Sequence, residues 1–174
     1  MSFADEIYSP IFVGCFTGVT LTSGLASDIF TYTGSTACRT VIERFVIGER
    51  SSNVVANQQI GISAWRGVTP VTTANGGGAA TAMANMRGYS AALSTGYGLL
   101  QAPTSAVALT SAGTGAQLVH ADTSDFGGNM RYEPKDGREI VLDAGQAVTF
   151  RGSAPAVSIV IDGHLQIRQV PLKG

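Results

Sequence analysis

The chain has 174 residues, of which only 13% are charged and 22 are glycine, and its formal net charge is −1. A charge this close to zero, without any run of Lys or Arg, excludes a basic surface of the kind that binds nucleic acids or anionic membranes. The charged share is about half of that in an ordinary globular protein, and so neutral a surface is poorly protected against association. The composition favours a surface that partners cover; a neutral secreted β-protein with an ordinary exposed surface is the alternative.

The N-terminus, MSFADEIYSPIFVG, carries acidic Asp5 and Glu6 and no basic residue ahead of an apolar core. This is not the pattern of a secretory signal peptide, and no apolar run approaches the roughly 20 residues of a membrane helix. We therefore expect a soluble product made in the cytoplasm, with no membrane partner. Cys15 and Cys38 are the two cysteines, and without export we expect buried free thiols rather than a disulfide.

Strand signals dominate the remainder of the chain. Short runs rich in β-branched and aromatic residues are separated by Gly, Pro and Asn, which is typical of strands joined by turns. These runs predict strands at residues 11–18, 28–34, 39–49, 58–67, 105–111, 116–122, 138–143 and 146–151. Within 58–67 the alternation places Ile62 and Ala64 on one face. Ser63 and Trp65 then share the other face.

Residues 69–105 interrupt this pattern with few charges and many Ala, Gly, Thr and Ser. A connection of this length is uncommon in a compact domain unless it is functional or disordered. We interpret it as a long surface loop or as an arm that reaches a neighbouring subunit, with residues 1–10 as a second, N-terminal arm. Within it, the alanine-rich run 79–87 is compatible with a short helix or with an irregular loop.

The pair Asp162-Gly163 is normally the strongest short-range signal for a tight hairpin. A turn there would give each face a mixture of apolar and polar residues, because paired residues share a face. A continuous strand instead collects Ile161 and Leu165 with the other apolar residues on one face, and a one-residue slip would move that set to the wrong side. We therefore predict one long strand over 157–168, with Gly163 as a bend or a bulge.

The segment before this strand does turn. Ala144-Gly145 lies between two short apolar runs, and glycine can supply the positive φ that a tight turn needs. Pro155 then interrupts the chain, because proline cannot donate to a strand ladder. Long strands shared across two packed sheets are typical of β-sandwiches and jelly rolls. We predict a single all-β domain over 1–174, a β-sandwich of jelly-roll type.

No constellation of catalytic residues is evident. His120 and His164 are the only histidines, no G-x-S-x-G elbow occurs, and His164 falls on the polar face of the last strand, where we expect it to be exposed. His120 and Asp122 share a strand face, but no nucleophile accompanies them. We predict no catalytic residues and no enzymatic activity.

Ligand motifs are equally weak. The run HADTSDFGG contains Asp122, Asp125 and Gly127 but lacks the twelfth-position Glu of a calcium loop, so a polar turn is the better interpretation. The basic residues within 131–138 are neutralised by acidic neighbours and predict a solvated, self-paired turn. We predict no metal-binding or cofactor-binding residues, no cofactor and no direct nucleic-acid partner.

The C-terminal segment GREIVLDAGQAVTFRGSAPAVSIVIDGHLQIRQV runs as a β-run, a small-Gly-Gln turn, a second β-run, an Ala-Pro-Ala break and a long final strand. In this order it resembles the end of small accessory proteins of tailed-phage virions, the head decoration or cement proteins and the head-fibre bases. The resemblance implies a β-sandwich or β-barrel, frequent trimers and no catalysis. It also implies attachment to the outer face of the major capsid protein shell, and hence a location on the capsid exterior of the virion.

Two functional hypotheses follow. The first is a capsid decoration protein, a homo-oligomer with a trimer expected, which clamps capsid subunits together. The second is a phage fibre or tail component, or a lectin-like jelly roll that binds carbohydrate through the rings of Trp65, Tyr89, Tyr97 and Tyr132. Clustering of these rings on one exposed surface favours carbohydrate binding, whereas their burial at subunit contacts favours decoration.

Overall fold

The computed structural model describes residues 10–24, 26–50, 59–68, 79–81, 83–86, 98–102, 117–125, 130–135, 137–153 and 155–171. The regular elements among these residues are all strands, and none of them is a helix that could cross a bilayer. The strands are β1 (Ile11–Leu21), β2 (Ser27–Gly34), β3 (Cys38–Glu49), β4 (Gln59–Val68), β5 (Ala79–Thr81), β6 (Ala84–Asn85), β7 (Gly98–Ala102), β8 (Gln117–Asp125), β9 (Met130–Tyr132), β10 (Ile140–Leu142), β11 (Ala147–Gly152) and β12 (Ile159–Pro171).

Within the described residues the strands form two six-stranded sheets. Sheet A has the order β10-β3-β12-β1-β6, with β9 pairing a second stretch of β3, and sheet B has the order β5-β7-β2-β11-β4-β8. The last strands insert between the first ones, since β12 lies between β1 and β3, and β11 lies between β2 and β4. This interleaving in two packed antiparallel sheets is the arrangement of a jelly roll. It confirms the predicted fold class.

The core lies between the two sheets and is built from the inward-facing residues of each strand. The largest fully buried side chains include Tyr32, Ile42, Leu142, Phe150 and Leu165. The rings of Phe45 and Phe150, which come from opposite sheets, have centroids 4.2 Å apart. Burial of one large apolar side chain of this kind stabilises the fold by about 1.5–3 kcal/mol, so the two sheets are held together chiefly by this layer.

The predicted continuous strand at the C-terminus is confirmed as β12. Its odd-numbered residues Ile159, Ile161, Leu165 and Ile167 are buried, as the alternation requires. The expectation of a bulge at Gly163 is wrong, because Gly163 pairs regularly with β1 on one side and with β3 on the other; a bend there stays a prediction.

The irregularity lies on the neighbouring strand instead. Two residues of β1, Thr17 and Gly18, stand opposite the single residue Asp162. Gly18 has a φ of 70°, and its N–H donates to Asp162 Oδ1 at 2.7 Å. Asp162 therefore closes a β-bulge in β1 rather than starting a turn in its own strand.

The predicted turn at Ala144-Gly145 is confirmed. Gly145 has a φ of 76°, and Gln146 N donates to Asp143 O at 3.0 Å. The side chain of Gln146 reinforces the turn, since its Oε1 accepts from Asp143 N at 3.1 Å. The turn brings β11 back into sheet B after β10 in sheet A.

Parts of the segment 69–105 form strands that pair with the edges of the two sheets. β7 pairs with β2 and β5 pairs with β7, which extends sheet B, while β6 pairs with β1 and extends sheet A. An unpaired sheet edge is a template for association with other chains. These strands therefore shield the side of the sandwich formed by β1 and β2.

The helix considered for 79–87 is absent, because the described residues there form β5 and β6. Pairing with neighbouring strands overrides the helix preference of alanine. Residues 1–9, the predicted strand 105–111 and the remaining parts of 69–105 lie outside the described residues. Their role as arms, and the single-domain organisation over 1–174, stay predictions.

The two cysteines are free, but they are not buried. Cys15 is exposed and Cys38 is half-buried, so the expectation of two buried thiols is wrong. The alternation of β1 sends Phe12 and Phe16 into the core, and Cys15, at an odd position between them, must face outward.

Candidate functional site

A cleft of about 340 Å³ opens where β4, β8 and β11 lie side by side in sheet B. Ile62 and Ala64 of β4 are buried in the core, so Ser63 and Trp65 project from the outer face of the sheet, as predicted. The aromatic and polar lining consists of Ser63, Trp65, Asp122, Thr123, Arg151 and Ser153. We call this site the Trp65 cleft.

The indole of Trp65 is held in one orientation. Its Nε1 donates to Ser63 Oγ at 3.0 Å, and the hydroxyl of Ser63 donates to the backbone oxygen of Arg151 at 3.4 Å. Ser63 also pairs with Arg151 in the β4–β11 register. Because the polar edge of the indole is satisfied by its own strand, the half-buried ring offers an apolar surface that is already in place.

One end of the cleft is closed by backbone contacts of Ser153. Its N donates to Gly61 O at 2.7 Å, and its Oγ accepts from Gly61 N at 2.8 Å. At β8, Asp122 Oδ1 accepts from Thr123 N at 2.8 Å. Asp122 is the register partner of the core residue Ile62, so its side chain leaves β8 on the inner side of sheet B, away from Trp65. On the outer face of sheet B the cleft thus presents one aromatic ring and one guanidinium on fixed strands.

A buried carboxyl accompanies the guanidinium of the cleft. Asp28 of β2 is the direct register partner of Arg151, and its Oδ1 is buried without a hydrogen-bond partner among the described residues. Burial raises the pKa of Asp28 from 3.8 to about 7, while the positive charge of Arg151 lowers it in part. Near neutral pH Asp28 therefore compensates the charge of Arg151 only incompletely.

A second surface lies on the side of the sandwich opposite to β1 and β2. In the described part of the chain, β8 pairs only with β4, and β9 and β10 pair only with β3. Arg66 joins the two sheets there, since it donates to Val141 O at 3.3 Å and to Gln117 Oε1 at 3.1 Å. Leu118 and Val141 expose 52% and 38% of their surface on these edge strands. We call β8, β9 and β10 together the open edge.

The residues His120 and Asp122, considered as a catalytic pair, line a narrow apolar gap between β8 and β9. The gap has a volume of about 10 Å³, which is no more than one water molecule needs. The His120 ring packs edge-on against Tyr132, with centroids 4.8 Å apart. Among the described residues that line this gap there is no Ser or Cys nucleophile; the prediction that the chain is not an enzyme stays a prediction.

His164 is half-buried on β12 rather than fully exposed, opposite Cys15 and Val46. Burial, together with the charges of Arg44 and Arg131, lowers its pKa, which keeps the imidazole neutral at neutral pH. Placement on the outward face of the strand was predicted correctly; its degree of burial was not.

The other sequence candidates do not come together as ligand sites. Asp122 is exposed, whereas Gly127 and the side chain of Asp125 lie outside the description. No group of three or more metal-ligating side chains occurs in the described ranges. Within the basic segment 131–138, Glu133 lies 3.6 Å from Arg131 and also 2.7 Å from Arg44 of β3; self-pairing of the rest of the segment stays a prediction.

Of the four rings proposed to stack on sugars, the two that the structure describes, Trp65 and Tyr132, do not share an exposed surface. Tyr132 is buried, and its hydroxyl accepts from Ile140 N at 2.8 Å, so its use as an exposed stacking face is wrong. Tyr89 and Tyr97 lie outside the described residues. Of the two described rings, Trp65 is the one that lines the outer cleft. Sequence reasoning missed Arg151 there; the alternation of 146–151 places it on the outward face of its own strand but does not say that this strand lies beside β4.

Comparison with known proteins identified no relative of this chain. The sequence matches no protein-family model. Searches of curated proteins and of solved structures gave no significant match.

Proposed function

We propose that this chain is a structural virion protein, a decoration or cement protein that binds the outer face of a major capsid protein shell. The jelly roll, the neutral composition and the resemblance of the C-terminal segment to tailed-phage accessory proteins support this assignment. The proposed role is adhesion: homo-oligomers, with a trimer expected, sit at junctions of capsid subunits and hold them together against the pressure of packaged DNA.

The open edge is the observation that carries the adhesive part of the proposal. On the β1/β2 side the chain covers its own sheet edges with β5, β6 and β7. On the opposite side it leaves the edges of both sheets without a described strand partner and places Leu118 and Val141 on them. Natural sheet proteins blunt free edges with charges, prolines or coverings, so an edge that exposes aliphatic side chains favours a protein partner.

The physical chemistry of such contact suits a chain with few charges. Because β8 has no second strand partner among the described residues, a neighbouring chain can extend the ladder of sheet B along it, and the exposed aliphatic side chains add apolar burial. A stable interface of this kind buries on the order of 1,200–2,000 Å² in total. Contacts from the proposed arms would contribute the rest, and each ordered backbone residue costs about 1–2 kcal/mol.

The proposal is tested on purified capsids with and without this protein, which are heated or osmotically shocked and then scored for released DNA. Decorated capsids are expected to survive conditions that open the bare ones, with protein copies present in multiples of three. Equal survival of the two preparations would contradict the clamping role.

A further inference from the structure

We propose that the Trp65 cleft binds an anionic ligand in which a carboxylate is attached to a six-membered ring. The ring stacks on the indole of Trp65, and the carboxylate binds the guanidinium of Arg151. A sugar acid and a carboxylated hydrocarbon ring share this chemistry. The inference is independent of attachment to a capsid, because it rests on the outer face of sheet B and not on the open edge.

Trp65 and Arg151 lie on the same face of two neighbouring strands. Ser63 is the direct register partner of Arg151, and Trp65 stands opposite Thr149. Paired residues share a face, and diagonal neighbours such as Trp65 and Arg151 lie about 7–8 Å apart, within reach of long and aromatic side chains. One small ligand can therefore contact the indole and the guanidinium at the same time.

The guanidinium of Arg151 is not engaged by the protein. The backbone oxygen of Arg151 accepts from Ser63, but within the described part of the chain the guanidinium makes no hydrogen bond and no salt bridge. Asp28 is its register partner on β2, yet Asp28 Oδ1 is buried without a hydrogen-bond partner. The N–H donors of a half-buried guanidinium are therefore left for a ligand.

The charges around the cleft favour an anion. Burial raises the pKa of Asp28 to about 7, so near neutral pH this carboxyl cancels only part of the positive charge of Arg151. Asp122, the other charged residue of the lining, directs its carboxylate to the inner side of sheet B as the register partner of Ile62. The lining therefore keeps a positive charge on the outer face. A planar guanidinium binds a planar carboxylate through two parallel N–H···O bonds.

The indole specifies the other half of the ligand. Because Trp65 Nε1 already donates to Ser63 Oγ at 3.0 Å, the ligand need not satisfy the indole N–H, and the face of the ring is left for contact. A rigid ring loses little conformational freedom on binding. The volume of about 340 Å³ lies at the lower end of the range of about 300–1,000 Å³ that is typical of small-molecule sites. A single ring with one carboxylate is a ligand of suitable size.

The chain provides its own reporter, since Trp65 is its single tryptophan. Intrinsic fluorescence of the full chain is titrated at constant ionic strength with methyl glucuronide and with cyclohexanecarboxylate. Methyl glucoside keeps the sugar ring without the carboxylate, and acetate keeps the carboxylate without a ring. We expect a saturable change with at least one ring carboxylate, and affinities about tenfold lower for the glucoside and for acetate.

The two ring carboxylates distinguish the sources. Tighter binding of the glucuronide assigns the site to a sugar acid, and tighter binding of cyclohexanecarboxylate assigns it to a hydrocarbon ring. No saturable change with either compound would overturn the proposal. Equal affinity for the glucoside or for acetate would overturn it as well.

Two variants test the electrostatic basis at about pH 8. Arg151→Gln removes the positive charge and is expected to weaken the affinity about tenfold. Arg39→Gln, the same substitution at an exposed arginine of β3, is the matched control and should bind like the parent. Asp28→Asn removes the remaining negative charge beside Arg151 and is expected to tighten binding about threefold, a gain that a purely structural role would not give.

Circular dichroism and thermal unfolding of each variant confirm that the fold is retained. Unchanged affinity in folded Arg151→Gln, or no gain in folded Asp28→Asn, would overturn the proposal even if the ligand alters the fluorescence.

Discussion

Phe16 lies directly opposite Gly163 in the antiparallel pair of β1 and β12, and a Cβ built on this glycine would stand 2.6 Å from Phe16 Cζ. On the other side the same Cβ would clash with the backbone oxygen of Val46. Gly163 is therefore required by the close approach of a ring and a carbonyl, and not by a turn. The last strand passes through the Asp-Gly pair without reversing, and the glycine leaves room for a core phenylalanine.

Substitution of Gly163 tests this packing. Gly163→Ala is expected to lower the free energy of unfolding by roughly 2–3 kcal/mol, because neither the Phe16 ring nor the Val46 carbonyl can move away without disturbing the sheet. Urea unfolding monitored by circular dichroism measures the change. Gly61→Ala is the matched control, since its Cβ would meet only ordinary contacts at 3.5 Å. A loss at position 163 no larger than that of the control would contradict the packing.

The bulge in β1 gives a second prediction, centred on Asp162. Its Oδ1 accepts from Gly18 N at 2.7 Å, whereas its ion pair with Arg50 is long, at 3.9 Å, and largely exposed. Asp162→Ala is expected to cost about 1 kcal/mol of stability through the lost hydrogen bond. Asp162→Asn keeps an acceptor oxygen and should cost less than half as much. Equal losses in the two variants would mean that charge, and not the bulge hydrogen bond, is the stabilising contribution.

The buried carboxyl of Asp28 gives a prediction for the dependence of stability on pH. Burial raises its pKa from 3.8 to about 7, so between these values the folded chain holds a proton that the unfolded chain has lost. Stability contributed by this group is therefore full below about pH 4, falls as the pH rises towards about 7, and is level above that. The change is on the order of 1 kcal/mol, because solvent still reaches part of the carboxyl and screens it.

Asp28→Asn removes this ionisable group. The difference in stability between the parent and the variant therefore isolates the contribution of Asp28 from those of the other ionisable groups. Chemical unfolding of the parent and the variant at about pH 5 and about pH 8 should show the parent losing stability relative to the variant at the higher pH. If the difference between the two proteins is the same at both pH values, then Asp28 titrates in the folded chain much as it does in the unfolded one.

The alternation of apolar residues was sufficient to predict most of the strands and the continuity of β12, because inward and outward positions in a two-layer sandwich follow a period of two. It failed where pairing with another strand decides the structure. Ala79, Ala80 and Ala84 join sheet edges rather than a helix. The bulge opposite Asp162 belongs to β1, far away in sequence. The outward direction of Trp65 was predictable, but its position beside Arg151 was not, since it depends on the order of strands in sheet B.

Attachment of this chain to a capsid shell is tested most directly by cosedimentation with capsids that lack it. Three forms are compared: the parent chain, Leu118→Lys on the open edge, and Met86→Lys, which changes an equally exposed apolar residue next to β6 on the shielded side. The parent and Met86→Lys are expected to sediment with the capsids at a fixed stoichiometry, and Leu118→Lys is expected to stay in the supernatant. Binding of all three forms alike, or of none, would contradict a decoration protein that adheres through its open edge.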